Sequence, residues 1–215
     1  MVDICMTFIY NFIVGGWCSM AKLYFRYGAM NSGKSTLLMQ VAYNYEENNR
    51  KVWVIKSKID TKVEDTLVSI IGLQRKVDIL LDENESLMRY KKQIQNCNAI
   101  LVDEVQFLKE SQIDELWYIA HVFDIPVIGY GLKGDFKTNL FEGSKRMLEL
   151  SDEITELVTI CSCGKTARFN ARKVHEKFTL TGEQNVIDGT KDITYVPLCA
   201  DCYIKKVLKK TKQSF

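Results

Sequence analysis

Three groups of residues in this 215-residue chain are of types that do chemistry. The first is GAMNSGKST at 28–36. Gly28, Gly33, Lys34 and Ser35 fit G-x-x-x-x-G-K-[ST], with Ala29, Met30, Asn31 and Ser32 between them and Thr36 behind. Glycine lets such a loop curl so that successive amide hydrogens point at phosphate oxygens, and the helix that follows adds its positive end. Lys34 can then reach the β- and γ-phosphates of a nucleotide, and the Ser35 hydroxyl can ligate magnesium. An ordinary strand-to-helix turn is the bland alternative. The apolar KLYFRY before the loop and the helically spaced KSTLLMQVAYNYEEN after it supply the context that the phosphate reading requires.

The second group is Asp103 and Glu104, which end the apolar run AILVDE at 99–104. A carboxylate at that strand end can hold magnesium directly or through water. A second acid beside it can accept the proton of an attacking hydroxyl, whether of water or of an organic acceptor. The third group is cysteine. Of seven, four fall into two tight pairs, Cys161/Cys163 and Cys199/Cys202. An odd total with two close pairs suits a metal site in a reducing compartment better than a secreted disulfide framework. Four thiolates complete a tetrahedral zinc site with no open position, which makes it structural. His175 is an alternative fourth ligand, and Cys5, Cys18 and Cys97 lack close partners.

The elements that must position these groups read as alternating strand and helix. Strands are expected at 22–27, 52–56, 99–104, 125–132 and 154–160. Helices are expected at 34–48, 85–96, 111–123 (capped by Ser111) and 140–151. Unbroken apolar strands separated by helices imply an α/β fold, a parallel sheet covered on both faces. After 160 the rhythm gives way to short polar stretches with Gly164, Gly182 and Gly189. The organisation expected is a RecA-like P-loop domain over 20–160, a zinc-binding lobe over 161–205 and a flexible basic tail over 206–215. The lobe is expected to carry few apolar residues and to draw much of its folding free energy from metal. Residues 4–18 are apolar but short for a membrane span, and Asp3 stands where a signal peptide carries basic residues. Residues 1–19 are therefore expected to be an extension outside the fold, with Met20 the natural start. The net charge of +2 excludes no partner class. The lysines at 205–212 read as a solvated end rather than a nucleic-acid grip.

Taken together, GAMNSGKST, SIIGLQ (69–74), DEVQF (103–107), IPVIGYGL followed by DF, CSCGKTA and YVPLC resemble the thymidine kinases of bacteria and animal cytosol. The likeness runs from about residue 21 to about 205. It implies transfer of the γ-phosphoryl of ATP to the 5′-hydroxyl of thymidine or deoxyuridine, with Glu104 as general base. Asp103 and Ser35 would serve Mg2+, and residues 28–36 with Asp103, Glu104, Val105 and Gln106 would bind ATP. Met30, Phe107, Leu132, Phe136, Phe141 and Asn170 would surround the nucleoside. A lasso over roughly 165–195, pinned by structural Zn2+ on Cys161, Cys163, Cys199 and Cys202, would bring Val186, Ile187 and Tyr195 to the base. In the family a threonine sometimes stands where Asn170 does here. The resemblance also implies a cytoplasmic homotetramer, feedback by dTTP, and neither nucleic-acid nor membrane partners. The alternative from another class is a RecA-like ATPase whose zinc ribbon grips nucleic acid. The basic charge forms no stripe and no aromatics interleave with arginine, which weighs against it.

Overall fold

The computed structural model describes residues 20–59, 65–69, 71–184 and 192–209. The expected extension 1–19, the end of the expected tail at 210–215, and the expected base contacts Val186 and Ile187 lie outside the described residues.

In chain order the strands of the main domain are β1 (Leu23–Gly28), β2 (Val52–Ser57), β3 (Thr66–Val68), β4 (Gln74–Lys76), β5 (Ile79–Leu81), β6 (Ala99–Asp103), β7 (Val127–Gly131) and β8 (Glu153–Leu157). The helices are α1 (Lys34–Glu46), α2 (Lys91–Ile94), α3 (Glu110–Val122) and α4 (Glu142–Leu150). Six strands form one sheet in the order β5-β2-β6-β7-β1-β8, and every pairing in it is parallel. This is the expected α/β sheet. Its central strands are apolar throughout because both faces are covered. Leu101, Ile128 and Tyr130 meet Leu38, Met39 and Ala42 of α1 on one face. Ile100, Val102 and Phe25 meet Ile113, Leu116 and Ile119 of α3 on the other. Each fully buried leucine, isoleucine, valine or phenylalanine among them contributes about 1.5–3 kcal/mol.

Several expected elements differ in detail. The segment read as one helix over 85–96 is a 3-10 turn, Leu87–Tyr90, followed by the short α2. Ser86 caps that turn by accepting the Met88 amide, and Tyr90 leaves helical geometry at φ −99°, ψ 15°. Helix α3 starts at Glu110 rather than after Ser111. Its cap is the Lys109 amide donating to Gln112 Oε1 at 3.0 Å, which puts Ser111 inside the first turn. The last strand of the sheet ends at Leu157. Residues 159–160 pair with the next segment instead.

That segment is the lobe: a hairpin of β9 (Thr159–Ile160) and β10 (Thr166–Ala167), then β11 (Phe169–Val174), β12 (Lys177–Thr179) and β13 (Ile193–Leu198), then α5 (Ala200–Tyr203). Strands β12-β11-β13 form an antiparallel sheet. The lobe is less bare than expected. Ala167, Ala171, Leu198, Tyr203 and Val207 are buried together, with Phe169, Phe178, Leu180 and Val196 packed around them. Val207 lies in a π-helical turn, Ile204–Leu208, and is fully buried. The solvated tail therefore does not begin at 206, because Val207 is part of the lobe's core.

Candidate active site

Parallel sheets present their ligand crevice at the carboxyl ends of the strands. The structure has a cleft of about 420 Å³ there, lined by residues 30–36, Lys56, residues 66–69, Asp103, Glu104 and Leu132. The loop after β1 forms one wall. Gly33 sits at φ 77° and leads into α1, a left-handed conformation that glycine adopts without strain. Gly28 is required for a different reason: a Cβ there would lie 2.3 Å from the Leu157 carbonyl and 2.4 Å from Ser32 Oγ. The loop is thus pressed against the end of β8. Lys34 is buried, and its ammonium donates to the Ala29 carbonyl at 2.9 Å, within the cradle where phosphate oxygens would compete for it.

The opposite wall carries the carboxylates. Asp103 ends β6 with 4% of its surface exposed. Glu104 does not continue the strand as expected. It turns to φ 49°, ψ 44°, in the left-handed region that non-glycine residues enter at a cost, and this swings the next residues into a 3-10 turn, Val105–Phe107. Glu104 Oε2 accepts a hydrogen bond from Gln106 Nε2, while Gln106 Oε1 accepts the Leu132 amide at 3.0 Å. The general-base candidate is therefore held by a buried amide that also holds the start of the loop after β7. The same turn sets two of the residues expected on the ATP side, Val105 and Gln106, behind the cleft wall. Val105 is fully buried in the core and Gln106 is 2% exposed with both ends engaged inward. Neither lines the cleft. A Cβ on Gly131 would come within 2.5 Å of Gln106 Oε1, so β7 must lack a side chain where Gln106 crosses it.

Lys56 was not anticipated. It is the last residue but one of β2, pairs in register with Asp103, is 2% exposed and lines the cleft. The signal was present in VWVIK, where a lysine closes an otherwise apolar strand at the ligand-facing edge.

The expected nucleoside residues fall into two groups beside the cleft. Met30 and Leu132 line it directly. Phe107 and Phe141 meet edge to face at 6.0 Å, and Phe136, 1% exposed, lies under the Arg172 guanidinium, which is 3.6 Å from its ring centre. Arg172 is the second residue missed from sequence. It stands opposite Tyr195 in the β11–β13 register and donates through Nε and Nη2 to the Tyr195 hydroxyl, and through Nη2 to the Gln184 carbonyl. Asn170 is buried, with its side-chain oxygen and nitrogen both bonded to backbone.

The four paired cysteines converge. Their sulfur atoms all lie within 4.8 Å of one another, and Cys163 and Cys199 are 3.5 Å apart. Tetrahedral zinc at about 2.3 Å from each sulfur needs sulfur–sulfur edges of about 3.8 Å, so the cluster is compatible with zinc. Burial pushes the Cys161 thiol up, but hydrogen bonds from the Cys163 and Cys199 backbone and from neighbouring thiols outweigh it and hold it down to about 6. Cys202, bonded first to Cys163 and also desolvated, is pushed up to about 12. The expected alternative ligand His175 stands apart, exposed and beside Asp192.

A family model described as "Thymidine kinase" matches residues 21–203. The chain belongs to the thymidine kinase family. It is 40% identical to the thymidine kinase of Streptococcus gordonii, over 86% of this chain and 97% of that one. It is 43% identical to that of Shouchella clausii, covering 86% and 96%, and 38% identical to that of Enterobacteria phage T4, covering 84% and 94%. Among solved structures, AMPPCP-bound DnaA from Aquifex aeolicus is similar over 72% of this chain and 46% of its own, at 15% identity and TM-score 0.41, a likeness that bears no functional argument. The family match places the cleft in an ATP-dependent nucleoside kinase. No helix among the described residues is long and apolar enough to cross a membrane.

Proposed function

We propose that this thymidine kinase transfers the γ-phosphoryl group of ATP to the 5′-hydroxyl of thymidine or deoxyuridine, with Glu104 as the base. The observation that carries the reading is the position of Glu104, at the cleft wall facing the phosphate loop and restrained by Gln106. Glu104 takes the proton of the 5′-hydroxyl as that oxygen bonds to the γ-phosphorus. The bond from that phosphorus to the bridging oxygen of ADP breaks, and ADP carries away the electron pair. Residues 28–36 hold the triphosphate through backbone amides and Lys34. The Ser35 hydroxyl and Asp103 carboxylate are an all-oxygen donor pair of the kind Mg2+ prefers. When bound, that ion neutralises charge on the β- and γ-phosphates.

Cys161, Cys163, Cys199 and Cys202 would hold structural Zn2+, which stabilises the lobe. The lobe in turn orders the nucleoside wall: Tyr203 donates to the Phe136 carbonyl at 2.6 Å, and Lys137 reaches the Gly182 carbonyl at 2.8 Å. We assign Met30, Leu132, Phe107, Phe136, Phe141 and Tyr195 to the nucleoside side. The family resemblance further supports a homotetramer and inhibition by dTTP in the same cleft. The five described cysteines, all unbridged, suit the reducing cytoplasm.

The test is an ADP-release assay with Mg2+, ATP and a panel of deoxynucleosides. Thymidine and deoxyuridine should support turnover, while deoxycytidine and purine deoxynucleosides fall by about 10⁴-fold, the discrimination a hydrogen-bonding pocket achieves. Turnover stimulated by single-stranded nucleic acid and indifferent to thymidine would replace this reading with the nucleic-acid ATPase.

A further inference from the structure

Asn170 sits where three parts of the molecule meet. It belongs to β11 of the lobe and is 5% exposed. Its Oδ1 accepts the backbone amide of Met30, in the phosphate loop, at 2.8 Å. Its Nδ2 donates to the carbonyl of Gly134, in the loop after β7 that carries Phe136 and Phe141, at 3.2 Å. A second tether runs the same way, with Thr159 Oγ1 of β9 donating to the Asn31 carbonyl at 3.2 Å. Asn31 is at φ 63°, in the left-handed region that asparagine enters more readily than other side-chain-bearing residues. The first half of the phosphate loop is thus held by the lobe, not by the sheet alone. Both polar ends of Asn170 are engaged by backbone, one from the phosphate loop and one from the loop after β7.

We propose that Asn170 is a positioning residue that couples the nucleoside side of the cleft to the triphosphate side. It makes the lobe, the phosphate loop and the loop after β7 a single unit, so that ordering any one orders the others. Nucleoside binding, which orders the lobe and the loop after β7, then tightens nucleotide binding, and the nucleotide tightens nucleoside binding by the same factor. The coupling rests on the kinase reading above for the identity of the second ligand. The contacts themselves do not.

The experiment measures the affinity of the zinc-loaded full chain for a non-hydrolysable ATP analogue, with and without saturating thymidine, in the native protein, Asn170→Ala and Asn170→Thr. Thymidine should tighten the analogue about 5-fold or more in the native protein, the usual lower range of such couplings. Asn170→Ala should lose about 3- to 10-fold in analogue affinity, as for one lost hydrogen bond, and its thymidine effect should fall to less than 2-fold. Asn170→Thr, whose hydroxyl keeps one donor and one acceptor, should restore part of both. A structural role alone would lower the melting temperature without erasing the ratio. An Asn170→Ala protein that folds and keeps the full ratio overturns the proposal. Should that variant fail to fold, hydrogen exchange in the native protein decides: the analogue alone should slow exchange across 169–174, and no slowing overturns the proposal. A protein that binds the analogue, shows this slowing and ignores thymidine would instead refute the kinase reading while leaving the contact in place.

Discussion

Replacing Gln106 with leucine tests whether the buried amide behind Glu104 matters to chemistry or only to packing. Leucine fills a similar volume but makes neither of the two bonds seen, from Nε2 to Glu104 and from the Leu132 amide at 3.0 Å. The Leu132 amide, partly buried, would be left without that acceptor, which costs about 1–3 kcal/mol. For a chain of this size that is a fall in melting temperature of about 2–12 °C. Glu104 would keep its backbone turn but lose the donor that aims its carboxylate. A displacement near 1 Å at such a group costs about 10²-fold in rate, so kcat should fall between about 10- and 100-fold. Affinity for an ATP analogue should stay within about 2-fold, because neither bond touches residues 28–36. Steady-state kinetics with thymidine, an analogue titration and a thermal melt give all three values. A lower melting temperature with unchanged kcat would refute the positioning argument and leave Gln106 as packing. Lost analogue binding would show that the turn supports the phosphate loop instead.

Glu104→Gln keeps the shape and can still accept from Gln106 by turning its amide, so the analogue should bind as before. Turnover should drop by about 10²-fold or more, the typical worth of a general base, and an unchanged kcat in the same assay would take Glu104 out of that role. Chelation should remove the metal expected on the cysteine cluster, and circular dichroism with a thymidine titration should then show the lobe lost and nucleoside binding abolished while the six-stranded sheet persists. Metal analysis that finds no zinc in fully active protein would contradict this.

The main domain was legible because two-sided burial leaves a strong trace. AILVD and IPVIGYG are apolar at nearly every position, and a loop with its own residue code follows the first strand. The three-residue strands Thr66–Val68, Gln74–Lys76 and Ile79–Leu81 were not, since three residues give no period to detect. AILVDE read as a strand carrying both acids to one edge. The turn at Glu104 is a backbone choice with no residue signature, as glutamate has no special freedom at positive φ. That turn is why Val105 and Gln106 stand behind the cleft wall instead of continuing the strand. In the lobe, alternation of small and polar residues in FNARKV hid a strand that packs Ala171 inward. The bonding of Asn170 and Arg172 depends on which segments the fold brings beside them, which no local pattern carries. The convergence of the cysteines, by contrast, followed from spacing, even though C-S-C is a residue tighter than the usual knuckle.

The most direct measurement follows the phosphorus itself. Zinc-loaded protein given Mg2+, γ-labelled ATP and thymidine should move the label into thymidine 5′-monophosphate, one label per ADP formed, with little free phosphate because the acceptor hydroxyl outcompetes water in the closed cleft. Label appearing as inorganic phosphate at the same rate with and without thymidine would mean that the cradle and the carboxylate serve hydrolysis, and the account would be wrong at its centre.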